Sequence, residues 1–135
     1  MFSRDMQIRV RYGETDRMGY LYYGYYAQYY EVGRVEALRS LGLTYKELED
    51  SGIILPVLDL QCSFLKPAYY DDLLTVRTVI TKLPDVRIHF TYDVLNPKGD
   101  LINVGKTTLV FYDQKRQKPI KAPETLIEKL RPFFS

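Results

Sequence analysis

A carboxylate, Asp16, stands in a segment that reads Tyr12-Gly13-Glu14-Thr15-Asp16-Arg17-Met18-Gly19-Tyr20-Leu21-Tyr22-Tyr23-Gly24-Tyr25-Tyr26. An aspartate acts as a general base or a nucleophile when a reacting carbonyl is held beside it. Just downstream, near Tyr23, a helical period begins, and the first turn of a helix leaves backbone N–H groups unpaired. Those amides, with the helix dipole behind them, favour negative charge developing on a carbonyl oxygen under attack. Carboxylate and amides together suit hydrolysis of an acyl compound. Spacing alone does not separate that chemistry from a helix cap or a solvated side chain, the commoner fates of an acidic residue before a helix.

The other reactive side chains read as structural. Glu14 is expected as a solvated carboxylate at a strand end, with an acid–base pairing to Asp16 as its alternative. Glu31 and Arg34, three residues apart on the helix, predict an ion pair, since an unpaired guanidinium on an apolar face is costly. Glu31 is the reserve catalytic carboxylate. His89, the only histidine, falls on the polar face of a strand with Arg87 and Thr91. Cys62 falls on an apolar strand face, with no adjacent histidine to support thiol chemistry.

The elements that must position Asp16 follow from periodicity. Met6, Ile8, Val10 and Tyr12 alternate with Gln7, Arg9 and Arg11 in a first strand. Residues 13–22 have no period and form a loop. Tyr23, Tyr26, Ala27, Tyr30, Ala37, Leu38 and Leu41 then share one helical face, with Gly42 in the place of a C-terminal cap. Tyr25, Tyr29, Val32 and Val35 make the opposite face apolar as well, which predicts an enclosed helix. Thr44 and Glu47 cap a short second helix ended by Gly52. Strands are predicted over 57–65, 74–81, 86–95 and 101–112, with Leu83-Pro84-Asp85 and Asn96-Pro97-Lys98-Gly99 as turns. A closing helix covers 123–130, Pro123 near its start. A strand, a helix and then a run of strands is an α+β order with an antiparallel sheet; it excludes doubly wound nucleotide folds, and no GxGxxG or phosphate loop is present.

At 135 residues the chain is expected to be a single domain, residues 1–135. A net charge of +2 is too small for a nucleic-acid footprint. No segment approaches the ~20 apolar residues of a membrane span, and the opening residues show no secretory pattern, so a cytoplasmic address is expected. One cysteine affords neither an internal disulfide nor a thiol pair for zinc. The unusual figure is thirteen tyrosines without a tryptophan, concentrated between Tyr12 and Tyr30.

The run Thr15-Asp16-x-x-Gly19-x-x-Tyr22-Tyr23-x-x-Tyr26, followed by Tyr30-Glu31-x-x-Arg34, closely resembles the signature of the 4-hydroxybenzoyl-CoA thioesterase family, including its Tol-Pal-associated acyl-CoA branch. Lys66-Pro67-Ala68-Tyr69-Tyr70-Asp71-Asp72 continues the resemblance, which spans nearly the whole chain. It implies a hotdog fold, a curled antiparallel sheet wrapped around one long central helix, assembled as a homodimer or homotetramer with active sites between subunits. It also implies hydrolysis of an acyl-CoA, with coenzyme A as part of the substrate and no cofactor or metal. Asp16 matches the catalytic aspartate, as nucleophile or general base, and the backbone N–H of Tyr23 matches the donor to the thioester carbonyl. Many members of the acyl-CoA branch carry histidine where Tyr23 stands here.

For binding, the matching positions are Gly19, Tyr22 and Tyr26, while Lys66, Lys82, Arg87 and Lys106 are the cations offered to the phosphates of coenzyme A. The alternative to a hydrolase is a non-hydrolytic acyl-CoA or acyl-carrier-protein binding module, which would keep the tunnel without needing an ionised Asp16.

Overall fold

A computed structural model describes residues 1–134. Five strands form one sheet: β1 (Phe2–Arg9), β3 (Val57–Phe64), β4 (Leu73–Ile80), β5 (Arg87–Leu95) and β6 (Leu101–Val110), with the short β2 (Ile53–Ile54) lying outside it. The sheet order is β1-β4-β5-β6-β3, and every neighbouring pair is antiparallel. The strands β4 and β5 alternate strictly between buried and half-buried residues, as their β-branched and aromatic content predicts. A second sheet of three short strands joins β2 to β7 (Tyr112–Asp113) and β8 (Lys118–Pro119). Two-residue strands carry no period, so β2 and β8 have no signal in the sequence, and the strand expected over 101–112 ends at Val110, with Tyr112 opening β7.

The first helix, α1 (Tyr25–Ser40), packs its buried residues Tyr26, Tyr29, Tyr30, Gly33, Ala37 and Leu38 toward the sheet, chiefly against β1 and β4. At Gly33 the approach is so close that a Cβ would lie 2.5 Å from Thr78 Oγ1. That hydroxyl is buried without a hydrogen-bond partner among the described residues. Further along, the Tyr30 ring lies over Gly105 of β6 and stacks on Tyr92, centroids 4.3 Å apart. The helix is nonetheless not enclosed: Ala27, Gln28, Glu31 and Val32 face outward. Its apolar circumference exceeds what one sheet can cover.

Short helices follow the capping chemistry. In α2 (Tyr45–Asp50) the Thr44 hydroxyl accepts the Glu47 amide at 3.1 Å. The last helix, α3 (Glu124–Leu130), begins directly after Pro123.

The two edges of the large sheet differ. On β1, Arg4, Asp5, Gln7 and Arg9 are exposed, the charged pattern that blunts an edge. On β3, Val57, Leu58, Leu60 and Phe64 are 45 to 53% exposed. Leu60 and Phe64 lie opposite Thr107 and Asn103, which are buried on the helix side of β6. The apolar face of β3 therefore points toward the helix layer, and α1 covers only part of it, through Tyr26 beside Phe64 and Tyr30 beside Cys62. Cys62, expected in the core, is half-buried for the same reason. Among the described residues no helix is long and apolar enough to cross a membrane.

Candidate active site

Between β1 and α1 the chain makes a 3-10 turn over Tyr12–Glu14, then a tight loop that carries Asp16. The Asp16 amide donates to the Tyr20 carbonyl at 2.8 Å, and the Gly19 amide returns to the Asp16 carbonyl at 3.0 Å. Gly19 holds φ +80, a conformation costly for any side-chain-bearing residue. Its place in the motif is thus a matter of loop shape. The side chain is fixed too: Oδ1 accepts from the amides of Met18, at 2.9 Å, and Tyr20, at 3.1 Å. The second oxygen, Oδ2, has no hydrogen-bond partner among the described residues.

The loop is stitched to the segment between β3 and β4. Leu21 donates its amide to Ala68 at 2.8 Å, and Tyr20 bridges Tyr69 in antiparallel fashion. Val10 and Asp71–Asp72 exchange backbone bonds at 2.9 Å, while Asp72 Oδ2 accepts the Tyr69 amide at 2.9 Å. The stretch Lys66–Asp72 thus acts as a backing strip for the Asp16 loop.

The turn into α1 places two donors near this loop. Tyr22 spends its amide on the Glu14 carbonyl, but the amides of Tyr23 and Gly24 bond nothing among the described residues. Tyr23 precedes the helix proper, whose first residue is Tyr25. Helix-start amides left open in this way are ready donors to an oxyanion.

Asp16 and Tyr23 line one cavity of about 400 Å³, within the ~300–1,000 Å³ usual for small-molecule sites. Tyr26 and Lys66 line it too. Its remaining walls are Met18, Tyr20, Leu21, Phe64, Leu65 and Pro67, none of them singled out from the sequence. Phe64 is the informative omission: its ring stands 5.5 Å from Tyr26 and 6.3 Å from Tyr23. Its position at the end of an apolar strand beside Leu65-Lys66-Pro67 was the available signal. Burial, with a smaller effect of Cys62, pushes the Tyr26 phenol up to about 12, so it stays a neutral hydroxyl.

The other candidates separate. Tyr22 lies beside Tyr23, rings 4.5 Å apart, and folds over Gly24 without lining the cavity. Lys66 Nζ is 3.5 Å from Asp100 at the rim. Lys82 and Arg87 flank a different hollow with His89, at the far end of β5, and Lys106 lies beside a third, next to Cys62. His89 is held below its ordinary value by burial and by those two cations. Glu31 and Arg34 are 3.9 Å apart, and the closer partner of the buried Arg34 is the Tyr45 hydroxyl at 3.1 Å. Among the described residues no cluster of three or more His, Cys, Asp or Glu could hold a metal.

Glu14 corrects the expectation of a solvated carboxylate. It is 6% exposed. Oε1 accepts from the Tyr29 hydroxyl at 2.6 Å and the Arg11 amide at 3.0 Å, and Oε2 from Arg11 Nη2 at 3.1 Å. Burial opposes its ionisation, yet the Tyr29 hydroxyl and the Arg11 donors together hold its carboxyl below the ordinary value. The 3-10 turn swings the side chain inward, a change of direction that strand alternation does not foretell.

A helix on an antiparallel sheet, with a hydrogen-bonded aspartate and the open-amide residue Tyr23 lining one mainly apolar cavity, is an arrangement suited to acyl hydrolysis. Residues 10–130 match the profile of the Thioesterase-like superfamily, and the chain belongs to that hotdog-fold thioesterase family. It is 34% identical over 115 residues to YneP of Bacillus subtilis (strain 168), covering 85% of this chain and 83% of that protein. It is 27% identical over 124 residues to the acyl-CoA thioester hydrolase YbgC of Escherichia coli O157:H7, covering 92% of each. Among solved structures, a DHNA-CoA thioesterase from Staphylococcus aureus superposes with a TM-score of 0.86 at 34% identity, over 99% of this chain and 85% of the other. The chain is a thioester hydrolase.

Proposed function

We propose that the protein hydrolyses acyl-CoA thioesters through Asp16, with the amide of Tyr23 as the principal oxyanion donor. The single observation that carries this reading is the division of labour at Asp16. Two amides occupy Oδ1 and hold the side chain, while Oδ2 has no hydrogen-bond partner among the described residues, and Asp16 and Tyr23 line the same cavity. A thioester carbonyl entering there would have a carboxylate oxygen on one side and open amides on the other. Asp16 then either attacks the carbonyl carbon, expelling coenzyme A thiolate and leaving a mixed anhydride for water, or takes a proton from the attacking water. Both routes give the free acid and coenzyme A. Neither asks for a metal or an organic cofactor.

The assembly in this reading is a homodimer, with a homotetramer as its extension, in which the sheet curls around α1 and the partner supplies the missing cover. The bare apolar edge of β3 supports it, because an exposed strand with hydrophobic side chains is a pairing template. Antiparallel pairing of β3 with its own copy about a two-fold axis would bring the Val57 end of one strand toward the Phe64 end of the other. The hollow flanked by the partner subunit's Lys82 and Arg87 would then approach this cavity, offering cations to the coenzyme A phosphates beside Lys66. Gly19 and Tyr22 serve binding indirectly, by shaping the loop and the turn into α1, and Tyr26 serves it as part of the acyl wall. A cytoplasmic location is part of this reading.

The test is thiol release from acyl-CoA by purified protein, followed with a thiol reagent over aliphatic and aromatic acyl groups, with and without a chelator. Turnover that survives chelation supports the reading. Stoichiometric acyl-CoA binding without thiol release would replace it with the binding module.

A further inference from the structure

We infer that Glu14 is a positioning residue for this reaction, tying the Asp16 loop and the oxyanion-donor turn to α1 through one buried carboxylate; the inference rests on the hydrolase reading above. Glu14 touches every part that must be in register. Its side chain reaches forward to Tyr29, in the second turn of α1, and back to the amide and guanidinium of Arg11, just past the end of β1. Its carbonyl takes the amide of Tyr22 at 2.9 Å, the residue before the open Tyr23 amide. Two residues on, the chain delivers Asp16. One residue therefore sets the donor turn through its main chain and the distance from that turn to the helix through its side chain.

The cost of the arrangement argues for a role. Burying a carboxylate is unfavourable unless it is well paired, and here three donors converge on its two oxygens. A neutral side chain would pack the same space more cheaply. The charged acceptor adds geometric stiffness, since charge-assisted bonds are shorter and stronger than neutral ones. The 2.6 Å contact with Tyr29 is of that kind. Misplacement of reacting groups by about 1 Å can cost on the order of 100-fold in rate, so a loop held to this tolerance is worth a buried charge.

The experiment compares the parent protein with Tyr29→Phe, Glu14→Gln and Glu14→Ala, measuring kcat, KM and thermal midpoint for one acyl-CoA. Tyr29→Phe keeps the ring and its packing, so it folds even if Glu14→Ala does not. The expected result is a fall in kcat of about 10-fold or more in Tyr29→Phe, with KM within about threefold and a folded spectrum. Glu14→Gln, which retains a carbonyl acceptor for Tyr29, recovers part of the kcat lost in Glu14→Ala. A drop in thermal midpoint with kcat within twofold of the parent in both Tyr29→Phe and Glu14→Gln would overturn the inference and leave Glu14 a purely structural residue. No turnover in the parent itself would instead overturn the hydrolase reading, and this inference with it.

Discussion

Asp16 and Tyr20 hold each other by a reciprocal pair of bonds: the Asp16 amide donates to the Tyr20 carbonyl at 2.8 Å, and the Tyr20 amide donates to Asp16 Oδ1 at 3.1 Å. The aspartate is thus both a product of the loop and a strut within it. Asp16→Asn keeps an Oδ1 acceptor for Met18 and Tyr20 while removing the carboxylate. Turnover is expected to fall by about 100-fold or more with the thermal midpoint close to the parent's. Asp16→Ala is expected to lose turnover and, in addition, about 1 kcal/mol of stability from two stranded amides. Steady-state kinetics and thermal melts on both variants check the separation; full turnover in Asp16→Asn would remove Asp16 from the mechanism.

In the proposed mechanism Tyr23 contributes through its main chain, so its phenol is dispensable. Tyr23→Phe should keep kcat within a few-fold. Tyr23→Pro deletes the open amide at a position just before the helix and should lower kcat by about 100-fold, the usual cost of one oxyanion donor. If the two variants lose kcat equally, the ring and not the amide is what matters.

Glu14 makes stability depend on acid. Its carboxyl is held below its ordinary value of 4.5 in the folded protein, so the folded state favours the ionised form. The contribution is fully present above pH 4.5 and drains away as pH falls through the lower folded value. Denaturant titrations at pH 7 and pH 3 should show a smaller acid-induced loss in Glu14→Gln than in the parent. An identical loss would mean that other carboxylates carry the acid sensitivity.

Much of this was legible beforehand, and the gaps share a cause. The strands from β4 to β6 and the body of α1 followed from periods of two and 3.6, and the motif resemblance pointed to Asp16, Tyr23 and Tyr26, which line one cavity. Glu14, Phe64 and the β2-β7-β8 sheet did not, because each is set by where a loop or edge ends in space. Strand alternation puts Phe64 on the same face as Cys62, yet could not say that α1 would meet it only through the Tyr26 ring and leave it half exposed. Sequence likewise put Lys82 and Arg87 among the ligand cations, whereas one protomer separates them from the cavity by the length of β5.

The close approach of α1 to β4 gives a stability test away from the site. Gly33→Ala places a methyl 2.5 Å from Thr78 Oγ1 and 3.1 Å from Val76 Cγ1, and should cost about 1–3 kcal/mol. Thr78→Val removes a buried hydroxyl that has no partner among the described residues and should be neutral or stabilising by about 1 kcal/mol. Chemical denaturation measures both. A destabilised Thr78→Val would reveal a bond to that hydroxyl.

At β3, Leu60→Lys sets a charge on the apolar edge and should leave a folded monomer in sedimentation, with turnover reduced in step with dissociation. A dimer that persists would move the interface elsewhere.

In the proposed dimer the contrast between the two edges would also govern stoichiometry. A sheet with two adhesive edges would add copies without limit, as a fibre does, whereas this one has a single adhesive edge and a charged β1 at the other. Two copies joined through β3 would present only Arg4, Asp5, Gln7 and Arg9 at both outer margins. Growth along the sheet would therefore terminate itself at the second chain, and any larger assembly would have to form through another surface.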